Sequence, residues 1–164
     1  MYIMGMNLTQ VRTAYVPGVS NTGPEFRLGT LGMTSDGKVY KYVNYNAGAG
    51  TIAAVAGNVV GYYAPAGDFA TEGYTNNKVT SDVSDALVAA GVLQAVIADG
   101  GFGWIQIRGA ATLTTAPVSG ADGNTLVLST TTDGTLKVAA AVTDVCGAIA
   151  QDISDKTIIC NFPF

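Results

Sequence analysis

The stretch GFGWIQIRGAATLTT, residues 101–115, decides the fold and contains the single tryptophan of the chain. Successive side chains of a β-strand point to opposite faces, so the alternation of residue types here separates two surfaces. Ile105 and Ile107 form an aliphatic face, which we expect to pack in the domain core. The opposite face carries an aromatic ring, an amide and a positive charge, on Trp104, Gln106 and Arg108.

This second face of the strand has two interpretations. In the first, Trp104, Gln106 and Arg108 face a second layer or a neighbouring chain, since tryptophan and arginine are enriched in interface hot spots. In the other, Trp104 fills the interior of a barrel and Arg108 pairs with an acidic residue at the rim. The pattern is compatible with both.

Two similar hairpins are predicted on either side of this strand. LGTLGMTSDGKVYKYV (residues 28–43) and NTLVLSTTTDGTLKVAAAV (residues 124–142) each place Asp-Gly between two strand-like runs, which is a strong hairpin signal. A V-x-G-x-x-A segment follows each hairpin, at residues 59–64 and 145–150. The chain therefore repeats a hairpin, a spacer and a strand, unless the similarity only reflects a composition rich in Thr and Gly.

The repeat predicts the fold class. Each copy is too small to bury its own apolar face, so we expect the two to pack as antiparallel sheets or as one sheet closed on itself. The prediction is an all-β barrel or sandwich with an internal hairpin repeat. One short helix is predicted over residues 82–90, with Ser81 as its N-cap and Gly91 as its stop.

The two ends of the chain are predicted to make contacts of different kinds. Residues 1–27 are punctuated by Pro and Gly and are predicted to be an extended arm, followed by a single domain over residues 28–164. The arm carries apolar anchors for a neighbouring chain at Tyr2, Ile3, Met4, Met6, Leu8, Val11, Tyr15 and Val16. Deletion of residues 1–24 is therefore expected to leave a folded domain. At the other end, Phe162 and Phe164 are expected to dock rather than remain exposed.

Composition narrows the possible functions. Only 12% of the 164 residues are charged, and 21 are Gly, which favours short strands and turns and a surface that partners cover. A soluble monomer with a Thr- and Asn-rich surface is the alternative. The net charge of −4 and the lack of a Lys/Arg cluster argue against nucleic-acid binding.

Other features of the sequence indicate the compartment in which the protein is made. No segment approaches the ~20 apolar residues that span a bilayer, and the N-terminus lacks the basic region of a signal peptide. We therefore expect no membrane association and synthesis in the cytoplasm. In that compartment Cys146 and Cys160 are predicted to be free thiols.

Residues typical of catalysis and of cofactor binding are scarce. The chain has no histidine, which removes the commonest general base and zinc ligand. Residues 48–53 match G-x-G-x-x-A but lack the strand–turn–helix context of a nucleotide site. Residues 68–79 start like an EF-hand loop, yet Ala70 and Val79 stand where ligands belong. We expect no cofactor and no enzymatic activity.

Two pairs of acidic residues could serve in acid–base catalysis. Asp82 with Asp85, and Asp152 with Asp155, are better explained by capping and turn formation than by glycoside hydrolysis. A polysaccharide-degrading enzyme would need two carboxylates that converge in one cleft.

Three motifs together resemble a known class of protein. These are the strand of residues 102–109, the segment Asp-Gly-Asn-Thr-Leu at residues 122–126, and Asp-Gly-x-Leu leading to a V-x-G-x-x-A strand near the C-terminus. The combination is similar to capsid decoration (cement) proteins of tailed bacteriophages, over about the last 70 residues and, loosely, the first hairpin. The resemblance implies a homotrimer on the outer capsid surface that bridges neighbouring major capsid subunits, and it carries no catalytic residues.

A tail or fibre component that binds a host receptor or glycan is the alternative to a decoration protein. Such a protein would cluster exposed aromatic side chains in a groove, for which the candidates are Tyr62, Tyr63 and Tyr74.

Overall fold

The computed structural model describes residues 2–3, 6–67 and 73–163, with backbone only for Tyr2 and Ile3. Strands make up almost all of the regular secondary structure in the described chain, which confirms the predicted all-β fold class. Its strands are β1 (Tyr2–Ile3), β2 (Leu31–Met33), β3 (Val39–Tyr45), β4 (Val59–Tyr63), β5 (Lys78–Thr80), β6 (Ala86–Leu93), β7 (Phe102–Thr112), β8 (Thr125–Leu128), β9 (Leu136–Val138), β10 (Ala148–Asp152) and β11 (Thr157–Asn161).

Five of these strands close into a ring. Backbone pairing runs from β3 to β5, β4, β6 and β7, and β7 pairs back onto β3. The β3–β5 contact is parallel and the other four are antiparallel. Outside the ring, β2 pairs with β3 and β1 pairs with β2. Beyond β7 the same sheet continues through β11, β10, β8 and β9, and we call these four strands the second sheet.

The long strand β7 joins the ring to the second sheet. A bulge interrupts its pairing with β3, because Tyr40 lies opposite Gln106 whereas Val39 lies opposite Arg108. Arg108 also lies opposite Asn161 of β11, so β3 and β11 occupy opposite edges of β7. The bulge bends the strand where it leaves the ring, as bulges generally do.

One hydrophobic core extends through both parts of the fold. Ile105 and Ile107 are fully buried in it, as predicted. Phe162 is also fully buried, so this terminal phenylalanine docks inside its own domain. The core combines side chains of the ring with those of the second sheet, among them Val43, Val60, Tyr62, Leu126, Leu136, Ala148 and Ile158.

Both predicted hairpins are present, but the strands that follow them are placed differently. The pairs β2–β3 and β8–β9 are antiparallel and connect through the predicted Asp-Gly turns, where Gly37 and Gly134 have positive φ values of 80° and 71°. In the second copy, β10 pairs with a strand of its own hairpin, β8. In the first copy, β4 pairs with β5 and β6. The repeat therefore extends to the hairpins and not to the third strand.

The helix predicted over residues 82–90 is wrong. Only Val83–Asp85 is helical, as a single 3-10 turn, and the residues after it form β6. The N-cap is Asp82, whose Oδ1 accepts a hydrogen bond of 3.0 Å from the Ser84 amide. The predicted N-cap, Ser81, is therefore one residue too early, and the cap belongs to a one-turn structure.

Tertiary pairing explains why the segment is a strand despite its Ala and Leu. β6 pairs with β4 along the ring and with β7 at its C-terminal end. Ala90 and Val92 are both buried in the core. Pairing with strands on both edges satisfies the backbone and outweighs the weak helical propensity of this short segment.

Candidate interaction surfaces

Trp104 lies at the centre of a buried aromatic cluster on the outer face of β7. Its ring centroid is 5.1 Å from that of Tyr42 and 5.4 Å from that of Phe26, and Phe26 meets Tyr42 edge-on at 5.3 Å. Such tilted and edge-on pairs are favourable beyond the area that they bury. Trp104 is 1% exposed, so it faces a second layer of its own chain and is not available to a neighbouring subunit.

The N-terminal segment supplies that second layer. Met6, Leu8 and Phe26 are partly buried and pack against the aromatic cluster. A Cβ on Gly32 would overlap the thioether of Met6, so glycine at this position lets the segment approach the sheet closely. For Met6 and Leu8, the expectation of contacts to a neighbouring chain does not hold, because their partners lie in their own domain.

Backbone hydrogen bonds hold the same segment against the start of β7. The Arg12 amide donates to the Phe102 carbonyl at 2.9 Å, and the Phe102 amide donates to the Arg12 carbonyl at 2.8 Å. The Arg12 side chain forms an ion pair of 3.3 Å with Glu25. Residues 6–27 therefore lie along their own domain.

The other two residues on this face of β7, Gln106 and Arg108, are also at least partly buried within their own chain. The Gln106 side-chain amide donates to the carbonyl of Arg108 at 3.1 Å and to that of Ala110 at 2.9 Å. These bonds span Gly109, whose φ of 90° few other residues adopt. Gln106 is buried and stabilises the bend of β7, whereas Arg108 is half-buried.

The remaining predicted contact residues have mixed outcomes. Phe162 is in the core, which corrects its assignment to an interface. The backbone of Tyr2 and Ile3 pairs with β2 in parallel. Met4 and Phe164 lie outside the described residues. Among the predicted contact residues with described side chains, Tyr15 is the most exposed, at 68%, and Val11 and Val16 are exposed as well.

Tyr15 belongs to an ordered surface loop, residues 13–22, which we call the Tyr15 loop. Thr22 organises it, since its hydroxyl donates to the Val19 carbonyl at 2.9 Å and accepts from the Val16 amide at 3.1 Å. Val16 and Val19 are exposed together with Tyr15. The loop therefore presents apolar side chains on a backbone that is already hydrogen-bonded.

An apolar surface continues from this loop. Val11 and Ile97 both lie within 4 Å of the position that a Cβ on Gly103 would take. Ile97 and the exposed Val96 line a groove of about 390 Å³ that reaches Ile52. We call Val11, the Tyr15 loop, Val96 and this groove the contact face. The sequence analysis named Val11, Tyr15 and Val16 as contact residues, but it did not find Val96 or the groove, because these belong to loops that are separate in sequence.

A second exposed loop lies between β9 and β10. Val142 is fully exposed, and Val145 is largely so. Asp144 accepts hydrogen bonds from the amides of Ala141 and Ala140, at 3.1 and 2.8 Å. These bonds favour the carboxylate and lower its pKa.

The acidic pairs have the capping and turn roles that their spacing predicted. Asp82 Oδ2 accepts from the Gly50 amide at 2.8 Å, and Asp85 Oδ2 from the Ala49 amide at 2.7 Å. Burial opposes the ionisation of Asp82, but hydrogen bonds from Ser84 and Gly50 outweigh it and lower the pKa. Residues 48–53, which match G-x-G-x-x-A, thus donate two backbone amides to carboxylates of their own chain.

The second acidic pair lies in the turn between β10 and β11. Asp152 accepts hydrogen bonds from the Ser154 hydroxyl at 2.6 Å and from the Asp155 amide at 3.1 Å, and both lower its pKa.

Among the residues that the structure describes, no group of three potential metal ligands comes together. Within the same residues there is no helix of the length and hydrophobicity that crossing a membrane requires.

The three tyrosines considered for glycan binding do not form an exposed aromatic groove. Tyr62 is fully buried and Tyr63 is half-buried, whereas Tyr74 is 41% exposed. Tyr62 and Tyr74 contact each other edge-on, with centroids 5.2 Å apart.

Comparison with protein-family models, with curated proteins and with solved structures finds no significant match to this chain.

Proposed function

We propose that the protein is a structural virion protein that decorates the outer capsid surface of a tailed bacteriophage and bridges neighbouring major capsid subunits. The observation that carries the proposal is the contact face, in which exposed apolar side chains stand on a hydrogen-bonded loop. The resemblance of the β7 region and the second hairpin to decoration proteins supplies the identity of the partner.

The contact face has properties that favour protein binding. Full burial of an aliphatic or aromatic side chain is worth about 1.5–3 kcal/mol, so Tyr15, Val16 and Val19 together offer several kcal/mol. Because the Tyr15 loop is already ordered, less conformational entropy is lost when a partner covers it. Apolar groups clustered at one place, on a chain with few charges, are typical of an interaction site.

Self-association belongs to the same proposal. We expect a homotrimer, in which one surface of each chain meets a different surface of the next around a closed ring. A weakly charged surface favours such contacts because little charge has to be desolvated. Sedimentation equilibrium of the full chain measures the assembly directly, and a monomer at micromolar concentration would contradict this part of the proposal.

Location in a virus particle is the decisive experiment. Particles are purified from cells that carry the gene, and the chain is quantified by mass spectrometry and located by antibody labelling in electron micrographs. We expect many copies per particle, distributed over the capsid. Labelling confined to the tail would favour the receptor-binding alternative, and absence from particles would refute a virion role.

A matched pair of variants tests the contact face. Tyr15→Ser combined with Val19→Ser is expected to weaken binding to undecorated capsids at least tenfold, or about 1.4 kcal/mol. Val142→Ser is the control, because it removes a fully exposed apolar side chain outside the contact face. Equal binding by both variants would show that the Tyr15 loop does not contact the capsid.

The receptor-binding alternative has a weaker basis. Of the three tyrosines proposed for a glycan groove, only Tyr74 exposes a substantial part of its ring. A glycan array with the full chain tests it, and selective binding of one class of glycan would make it the preferred function.

A further inference from the structure

Lys41 is a buried cation at the rim of the five-stranded ring. It lies on β3 and is only 4% exposed. Its Nζ donates a hydrogen bond of 2.8 Å to the hydroxyl of Tyr62. The same atom is 5.0 Å from the ring centroid of Tyr62 and 5.3 Å from that of Tyr74, which are cation–π distances.

These neighbours compensate the charge of Lys41 only in part. An ammonium group has three donors, and the described chain provides one hydrogen-bond acceptor, the Tyr62 hydroxyl. The ion pairs of the described residues involve Arg12 and Lys38, not Lys41. Burial lowers the pKa of Lys41 to about 8, as expected for an ammonium group that lacks a counterion.

Lys41 borders an open cavity. The cavity has a volume of about 430 Å³ and is lined by Gly29, Leu31, Lys41, Tyr74, Thr75 and Asn77. Asn77 has a left-handed backbone with φ of 52°, a conformation that asparagine adopts readily. A Cβ on Gly29 would come within 3.0 Å of the Asn77 amide, so glycine leaves room for that side chain.

We propose that this cavity binds a small carboxylate-bearing ligand whose carboxylate pairs with Lys41. One ammonium group and one side-chain amide match the single charge of a carboxylate. A phosphate, with up to two charges and more oxygens to satisfy, would require further cations or backbone amides. The exposed part of the Tyr74 ring provides an apolar wall, and the volume suits a molecule of about the size of a monosaccharide. The inference does not depend on a capsid role.

Pairs of charged and neutral small molecules test the proposal on the full chain. The probes are benzoate with benzamide, and glucuronate with glucose, titrated into isotope-labelled protein and followed by NMR. We expect at least one carboxylate to bind with millimolar affinity, at least tenfold tighter than its neutral counterpart. Binding of benzoate alone identifies an aromatic acid as the ligand class, and binding of glucuronate alone identifies an acidic sugar.

A second readout reports on Lys41 itself. A bound carboxylate favours the charged lysine, so the pKa of Lys41, followed by NMR, is expected to rise in the presence of the carboxylate probe. Lys41→Met should lose carboxylate binding at least tenfold, and it should remain folded because an apolar side chain of similar length replaces a buried charge. Lys38→Met, in the turn that immediately precedes β3, is the control that retains binding.

Three results would overturn the proposal. The first is equal binding of a carboxylate and its neutral counterpart, and the second is equal binding by wild type and Lys41→Met. The third is that neither carboxylate binds the wild-type chain at concentrations of about 50 mM, well above the millimolar affinity expected of weak small-molecule sites.

Discussion

The covering of Trp104 by the N-terminal segment can be tested by removing the side chains that form it. Met6 and Leu8 are both partly buried against the aromatic cluster. Replacing both with Ala removes several methylene-sized groups, each worth about 0.8 kcal/mol when fully buried. For partly buried side chains we expect a total loss of roughly 2–3 kcal/mol in the free energy of unfolding.

Trp104 provides the assay, because it is the only tryptophan in the chain. Urea unfolding followed by its fluorescence should give a midpoint lower by about 1 M, for an m-value of about 2–3 kcal/mol/M. The emission of the folded variant should also move to longer wavelength, because water reaches the indole ring. Val142→Ala, at a fully exposed site, should change neither quantity by more than about 0.5 kcal/mol. An unchanged midpoint and emission maximum for the double variant would refute the packing of residues 6–8 on Trp104.

Three further predictions concern other parts of the fold. The half-buried Cys146 should react with a thiol reagent in the native protein, whereas Cys160, whose pKa burial raises to about 12, should react only on unfolding; equal native rates would contradict this. The pKa of Lys41 lies near 8 when the chain is folded, below its ordinary value of 10.5. Between these pH values, therefore, Lys41 is mostly protonated in the unfolded chain and mostly neutral in the folded chain. Stability of wild type relative to Lys41→Met should therefore rise by about 3 kcal/mol from pH 8 to 10.5 in urea unfolding, and parallel pH profiles would exclude a buried charge. Finally, Gly37→Ala should cost about 1 kcal/mol, for positive φ alone, whereas Gly134→Ala should cost clearly more, because its Cβ would also strike a neighbouring asparagine side chain; equal thermal unfolding would contradict the crowding.

Local pattern was sufficient for the strands and hairpins. The period of two in β7 predicted the burial of Ile105 and Ile107, and the Asp-Gly pairs located both hairpin turns. These features depend on interactions between residues close in sequence, or on the simple division of a strand into two faces. The same reasoning failed over residues 82–90, because β6 pairs mainly with β4, from which it is separated in sequence by β5 and the loops around it.

The candidate sites were less accessible to sequence reasoning, for a physical reason. The outer face of β7 could be covered by a partner or by the chain itself, and Trp104 looks the same in both cases. Gly32 on β2 could have indicated that the chain covers this face itself, because a glycine there allows Met6 to approach the sheet closely. Lys41 alternates with tyrosines that themselves are buried, so nothing in the local pattern indicated that the lysine also points inward.

The segment that covers Trp104 is continuous with the loop that we propose as a binding site. Leu8 packs on the aromatic cluster, Arg12 is hydrogen-bonded to Phe102, and the Tyr15 loop begins one residue later. Detaching residues 6–8 from the aromatic cluster should therefore make the Tyr15 loop more mobile and raise the entropy cost of ordering it on a partner. It follows that Met6→Ala with Leu8→Ala should weaken capsid binding although neither side chain touches the capsid, and that Tyr15→Ser should weaken binding without altering the emission of Trp104. If the cover variant bound capsids as well as wild type, the Tyr15 loop would be ordered by its own hydrogen bonds, through Thr22, and the two regions would be independent.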